Sequence, residues 1–225
     1  MSRRISIIIP ALNEGNDITS TLERLAPWRA DGHEVIVVDG GSGDETIALA
    51  RPLSDQVISC EPGRARQMNC GAALAQGDIL LFLHADTQLP ENGLLLILSA
   101  LAAGEIWGRF DVRLSGQHPL FRVIEKMINW RSSFSGISTG DQAIFVLREQ
   151  FEGIGGFPEQ PLMEDIELSR RLKKIAPPFC IRTPLTTSSR RWEQRGIFAT
   201  ILLMWRLRFL YWLGVDASKL AKMYR

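Results

Sequence analysis

The sequence predicts an α/β fold with a mostly parallel sheet flanked by helices, and three observations carry that prediction. Near-continuous apolar runs at Ile5-Ser6-Ile7-Ile8-Ile9, Val35-Ile36-Val37-Val38 and Leu80-Leu81-Phe82-Leu83 suit strands buried on both faces. Segments of helical spacing lie between them. Each run also ends in a polar cluster, and open α/β sheets bind ligands just beyond the carboxyl ends of their strands.

Taken in order, Ile5 to Ile9 forms the first strand and Pro10 ends it. Asn16 or Asp17 caps a helix whose apolar positions Ile18, Leu22, Leu25 and Trp28 recur at helical spacing. Glu34 to Val38 is a second buried strand ending at Asp39. Asp44 caps a helix through Leu53, Gln56 to Ser59 is a short third strand, and Gly63 to Gln76 is helical up to Gly77. The fourth strand, Leu80 to Leu83, completes a β-α-β-α-β-α-β order, which places helices on both faces of parallel strands.

The second half is less regular. A Leu-rich helix runs from Pro90 to about Ala103, and Trp107 to Leu114 alternates like a half-exposed strand. A helix from Pro119 to about Trp130, a loop from Ser132 to Gln142 and a buried strand from Ala143 to Leu147 follow. Gly153 to Pro161 reads as a shaped loop, Glu164 to Ile175 as a charged helix and Phe179 to about Thr187 as extended chain. The tail from Gly196 is helical. Without internal repeats or low-complexity linkers, one domain is expected over 1–225.

The 45% hydrophobic and 23% charged content is that of an ordinary globular chain. The net charge of +1 conceals a basic tail: after residue 181, Arg182, Arg190, Arg191, Arg195, Arg206, Arg208, Lys219, Lys222 and Arg225 face only Glu193 and Asp216. Such a tail meets phosphates, anionic lipids or acidic partners when it is not simply solvated. A nucleic-acid partner is not expected. Cys60, Cys70 and Cys180 are widely spaced without a CxxC, which predicts reduced thiols in a cytoplasmic protein. No run reaches the roughly 18 consecutive apolar residues of a membrane span.

Four clusters carry candidate chemistry. Asp39, followed by Gly40-Gly41-Ser42-Gly43, suits hydrogen bonding to a base or ribose, or simply a turn. That loop lacks both the GxGxxG spacing and a P-loop lysine, which disfavours a dehydrogenase or an ATPase. His84 and Asp86 share a face of an extended segment. Asp86 is a hard ligand for Mn²⁺ or Mg²⁺ when a diphosphate supplies the other oxygens, whereas His84 bonds a ribose or phosphate or is structural. Glu164 and Asp165 open the charged helix, where carboxylates complement the dipole in any case; one facing the sheet edge is a candidate general base. Arg190-Arg191-Trp192 suits diphosphate binding and stacking, or a solvated surface.

These residues resemble a known family. Ile7-Ile8-Ile9-Pro10-Ala11-Leu12-Asn13-Glu14, Val37-Val38-Asp39-Gly40-Gly41-Ser42 and Leu83-His84-Ala85-Asp86 are similar to the nucleotide-binding half of family 2 glycosyltransferases. Glu164-Asp165 and Arg191-Trp192 resemble motifs of its acceptor half, so the likeness spans about residues 5 to 192. Gly63-Arg64-Ala65-Arg66-Gln67-Met68-Asn69, Thr139-Gly140-Asp141-Gln142 and Leu162-Met163-Glu164-Asp165 further resemble the small bacterial subgroup labelled arsenosugar-biosynthesis glycosyltransferases.

The resemblance implies a GT-A fold and an inverting, metal-dependent transfer from a nucleotide-diphosphate sugar to an acceptor hydroxyl. It implies a nucleotide-binding half over about 1–105, an acceptor half over about 106–192 and a helical tail over about 196–225. Asp39 and Glu14 would contact the nucleoside, in a pocket shaped by Pro10 and Ala11. Arg64 would lie near base or phosphate, Asp86 would hold the metal as the last residue of the DXD motif, and Asp165 would be the general base. Arg191 and Trp192 would hold the diphosphate and the acceptor side. Asn13, Gly41, Gly63, His84, Ala85, Gly140, Asp141 and Glu164 complete the expected substrate-binding set.

Two departures bear on function. His84 stands where the family often has the first Asp of DXD, leaving Asp86 as the metal ligand. Ser188 stands where processive members carry the Gln of QxxRW, which favours transfer of a single sugar. The bulky Ile197 to Val215 stretch predicts core packing, a homodimer contact or a peripheral membrane contact, the last at the inner face of the membrane. The rival readings are a nucleotidyltransferase on a related sheet and a binding module without activity. The acidic Ala11-Leu12-Asn13-Glu14 loop disfavours the first, and retention of Asp39, Asp86 and Asp165 disfavours the second.

Overall fold

The parallel half is built as its apolar runs predict. In the computed structural model, which describes residues 3–224, β1 (Ile5–Ala11) pairs in parallel with β2 (Glu34–Asp39) on one side and β4 (Ile79–Phe82) on the other. β3 (Gln56–Ser59) adds outside β2, again parallel. The sheet then continues with β7 (Ile144–Leu147), β6 (Trp107–Leu114), β8 (Phe179–Thr187) and the short β5 (Thr87–Gln88). β7 is antiparallel to both β4 and β6, whereas β6 and β8 run parallel. Arg225 lies outside the described residues.

Both faces are covered. Ile5, Ile7 and Ile9 pack against α1 (Ile18–Ala30) and α4 (Gly93–Ala102). Ile8, Ile36 and Val38 pack against α3 (Arg64–Leu74), with α6 (Arg148–Gly153) and α7 (Glu164–Lys173) farther along the same face. Gly71 lets α3 sit this close, because a Cβ there would lie 2.5 Å from Ile8 Cγ2. The remaining helices are α2 (Thr46–Ala50), α5 (Pro119–Ser135), α8 (Arg190–Arg195), α9 (Ile197–Trp212) and α10 (Ala217–Tyr224).

Several expectations are corrected. The strand over Trp107 to Leu114 is not half-exposed at its start. α5 covers it, and the buried Arg109 donates to Asn129 O and Ser133 Oγ and pairs with Asp111. The loop expected from Ser132 begins later, since α5 runs to Ser135 and ends where Gly136 adopts φ +67°. The cysteines are not all free: the turn from β3 into α3 brings Cys60 and Cys70 into a disulfide, leaving Cys180 free. Asp17 occupies the start of α1 without capping it, because its carboxylate pairs with Arg190 instead. Among the described residues no helix is long and apolar enough to cross a membrane.

Candidate active site

The ends of β1 and β2 are laced into one rim. Asn13 N donates to Ser42 Oγ and Gly43 N donates to Asn13 Oδ1, both at 2.9 Å. Glu14 N donates to Thr46 Oγ1, and Gly15 N to Asp44 Oδ2. Beneath them the buried Gln67 side chain donates to Ala11 O and Val38 O, each at 2.8 Å. Sequence reasoning carried Gln67 only as part of a motif; a polar residue on the inner face of an Ala-rich helix was its signal. Pro10 and Ala11 end β1 above this bond, and Gly63 precedes α3 with φ +142°.

Asp39 is buried, and its carboxylate receives N–H bonds from Gly41 at 2.8 Å and Ser42 at 3.0 Å. Gly41 meets that turn with φ +95°. The turn and the ligand reading are therefore compatible, because a carboxylate oxygen accepts more than one bond.

Beyond β4 the chain does not stay extended. Thr87 N donates to His84 O, making a turn over His84-Ala85-Asp86, with Ala85 O held by Thr21 Oγ1. His84 and Asp86 consequently do not act as same-face neighbours. His84 lines a small cavity with Arg64, Gly140, Glu164 and Asp165. Its Nε2 is buried without a hydrogen-bond partner, and burial, with Arg64 and Arg191 nearby, pushes the imidazole down to about 3. It is neutral at physiological pH.

Asp86 faces the other way, toward Glu14 and Asp17. Burial first, then Asp17, raises its pKa, while Arg190 opposes the rise. Glu14 is raised by burial and by Asp86 in the same manner. Arg190 stands 3.7 Å from Glu14 and 3.1 Å from Asp17. The pairing of β5 with the end of β8, sealed by a 2.9 Å bond between the Thr87 and Thr187 hydroxyls, delivers Arg190 and Arg191 to this place. Trp192 turns away, packing against the Leu114, Phe121 and Ile124 cluster, so it seats α8.

The third part is the start of α7. Asp165 Oδ2 receives Gly140 N–H at 2.8 Å and Oδ1 receives Ile166 N–H at 2.7 Å. Burial nevertheless holds Asp165 above the usual carboxylate range. The buried Glu164 is raised by burial and then by Asp165, against the pull of Arg64 at 3.7 Å. Asp141 lies half-buried beside them, its Oδ1 unpartnered. Arg131, which sequence reasoning missed, comes from α5; its Nε and Nη2 are buried without partners, and burial and Arg208 push it down to about 10.

Among the described residues, Asn13, Ala143 and Met163 are the non-glycine positions with positive φ, at 55°, 47° and 66°. Each adjoins a site loop: Glu14, Gly140 to Gln142, or Glu164-Asp165. Backbone strain of this kind gathers at functional sites.

The sign of the Glu164 shift makes a testable difference. Its folded pKa lies above the ordinary 4.5, so folding favours the protonated form, and stability is lost as pH rises from 4.5 through the folded value. Glu164→Gln is expected to match wild type near pH 4.5 and to exceed it by about 1–3 kcal/mol above neutrality. Its half-exposed partner Arg64 contributes little to offset this. Chemical denaturation across that range checks the divergence, and parallel curves would refute it.

Comparison with known proteins shows the family and the fold. The sequence profile of glycosyl transferase family 2 matches residues 6–151. The chain belongs to glycosyl transferase family 2. It is 27% identical over 230 residues to the probable glycosyltransferase YdaM of Bacillus subtilis, covering 91% of this chain and 53% of that protein. It is 37% identical over 169 residues to a PGL/p-HBAD biosynthesis glycosyltransferase of Mycobacterium bovis BCG, covering 68% of this chain and 62% of that one. The chain thus spans roughly half to three-fifths of these relatives.

Solved structures share the GT-A fold. The mannosyltransferase PcManGT of Pyrobaculum calidifontis, bound to GDP-Man and Mn²⁺, matches with a TM-score of 0.65 at 25% identity, over 92% of this chain and 61% of that one. The glucosyl-3-phosphoglycerate synthase of Mycobacterium tuberculosis, with Mn²⁺, UDP and glucosyl-3-phosphoglycerate, matches with a TM-score of 0.61 at 21% identity, over 82% and 71%.

Proposed function

We propose that this domain transfers one sugar, with inversion, from a nucleotide-diphosphate sugar to an acceptor hydroxyl, using a divalent cation. The observation that carries the reading is Asp165, half-buried in the cavity it shares with Arg64 and His84, seated by Gly140 N–H and held above the usual carboxylate range, at the same sheet edge as Asp86 and Arg191. The GDP-Man and Mn²⁺ bound by the mannosyltransferase of similar fold support it.

The rim of Pro10, Ala11, Asn13, Glu14, Asp39 and Gly41 takes the nucleoside, and Gly63 and Arg64 border it. Arg191 and Arg64 oppose the charge that develops on the departing diphosphate. Asp165 accepts the proton of the acceptor hydroxyl as its oxygen bonds to the anomeric carbon and the bond to the diphosphate breaks. Glu164 and Asp141 flank the acceptor, and neutral His84 closes the wall behind Gly140. On this reading about 1–105 is the nucleotide-binding half and about 106–192 the acceptor half of one domain.

The residues fit a cation that the substrate completes. Asp86 accepts a long, 3.4 Å bond from Thr87 Oγ1, and the buried Glu14 Oε2 makes no hydrogen bond within 3.5 Å, only an ion pair with Arg190 at 3.7 Å. Among the described residues no group of three or more His, Cys, Asp or Glu suits a metal alone. Asp86 would hold Mn²⁺ or Mg²⁺, which would offset the diphosphate charge. Ser188 in place of the processive Gln supports transfer of one sugar at a time. The subgroup resemblance puts an arsenosugar precursor in the acceptor panel.

Calorimetry tests the cation site. Asp86→Ala is expected to weaken binding of UDP or GDP in the presence of Mn²⁺ by about 10²-fold, and to leave weak metal-free binding unchanged. Equal affinity in the variant and wild type with Mn²⁺ would remove Asp86 from this role.

A further inference from the structure

Two helices turn aromatic side chains to solvent along matched stripes. In α5, Val123, Met127, Trp130 and Phe134 recur every three or four residues. Trp130 and Phe134 are 69% and 82% exposed, and their rings stack at 5.6 Å. In α9, Phe198, Leu202, Trp205, Phe209 and Trp212 recur likewise; Phe198 and Trp212 are each 71% exposed. Neither stripe is core.

The helices meet through side chains and run the same way. Ile197 and Ile201 of α9 pack against the cluster of Phe121 and Ile124 of α5, and Arg208 lies near Arg131 farther along. At 3.6 residues per turn, the two stripes fall on opposite-handed sides of the Ile124 and Ile201 contacts. For parallel neighbours that puts both on one side of the pair.

Charge selects the occupant. α9 contains no Asp or Glu, and the single carboxylate of α5, Glu125, is buried, receives Leu114 N–H and pairs with Arg122. Lys126 and Arg206, both exposed, border the stripes. A twofold partner would bring the same basic, acid-free helix faces against these cations, whereas an anionic bilayer meets both. We infer that the α5–α9 face docks on an anionic lipid surface, with the Trp and Phe rings at the interface and Lys126 and Arg206 among the headgroups. The inner side of α9 carries Leu207, packed with Met163 and Ile166 beside Glu164 and Asp165. Docking thereby holds the acceptor side of the site close to lipid.

Co-sedimentation tests this with the intact chain and vesicles of equal parts phosphatidylcholine and phosphatidylglycerol, beside pure phosphatidylcholine vesicles. The protein is expected to pellet with the anionic vesicles and at least about tenfold less with the neutral ones. Combined Trp130→Ser and Phe209→Ser is expected to cut pelleting at least about tenfold with an unchanged melting curve, because both side chains are exposed. Arg206→Glu is expected to weaken anionic binding alone. Wild-type protein left in the supernatant overturns the inference. So does a stable dimer that the double variant disperses, which would assign the face to a second copy. Donor consumption in solution is expected to be the same in all these variants, so the docking and transfer readings fail separately.

Discussion

Asp165→Asn is expected to leave donor affinity nearly intact and to lower transfer by about 10²–10⁴-fold, the usual worth of a positioned general base. The asparagine retains an oxygen for the Gly140 N–H that now reaches Asp165 Oδ2 at 2.8 Å, so the loop stays seated. What disappears is the carboxylate oxygen proposed to take the acceptor proton. Donor affinity by calorimetry and turnover by product formation separate the two effects. Wild-type turnover in the variant would move the base elsewhere, with the adjoining Glu164 the first residue to try.

Gly140→Ala tests the same wall by shape. A Cβ at position 140 would lie 2.7 Å from His84 Nε2 and 3.9 Å from Asp165 Oδ2. His84 is half-buried with its Nε2 enclosed against this wall, so the alanine displaces the imidazole, the loop or Asp165. Stability is expected to fall by about 1–3 kcal/mol, as for other overpacked sites. Transfer is expected to fall by about 10²-fold, the cost of misplacing a reacting group by about an ångström. Gly153→Ala is the control, since its Cβ meets nothing within 4 Å. Equal turnover in the two variants would show that the Gly140 wall does not position Asp165.

Where burial is symmetric, the sequence is a reliable guide to this fold. β1, β2 and β4 are apolar on both faces, and their polar ends mark the rim where Asp39 and Asp86 stand. Charge at a helix start was equally legible at Glu164-Asp165. What escaped notice depends on contacts between distant segments. The turn at His84 to Thr87 is locked by Thr21 and Thr187, far away in the chain, and it is what parts His84 from Asp86. Arg109 looked solvent-facing by alternation, yet α5 closes over it with acceptors that spacing alone cannot reveal. Trp192 read as a stacking residue beside arginines, and a core formed by Leu114, Phe121 and Ile124 claims it. Cys60 and Cys70 read as separate thiols because their meeting needs the return of α3 onto the sheet. Arg131 reaches the cluster around Asp141 and Asp165 only because α5 passes behind them.

The central claim, that the edge joining Asp39, Asp86 and Asp165 cleaves a nucleotide-sugar bond, has a direct measurement. The purified chain is incubated with a panel of UDP- and GDP-sugars and Mn²⁺, and release of nucleoside diphosphate is followed by chromatography. The account predicts that at least one donor is consumed, that chelation of the metal stops it, and that Asp165→Asn abolishes its acceleration by an acceptor hydroxyl. No release from any donor, with or without metal, would contradict it.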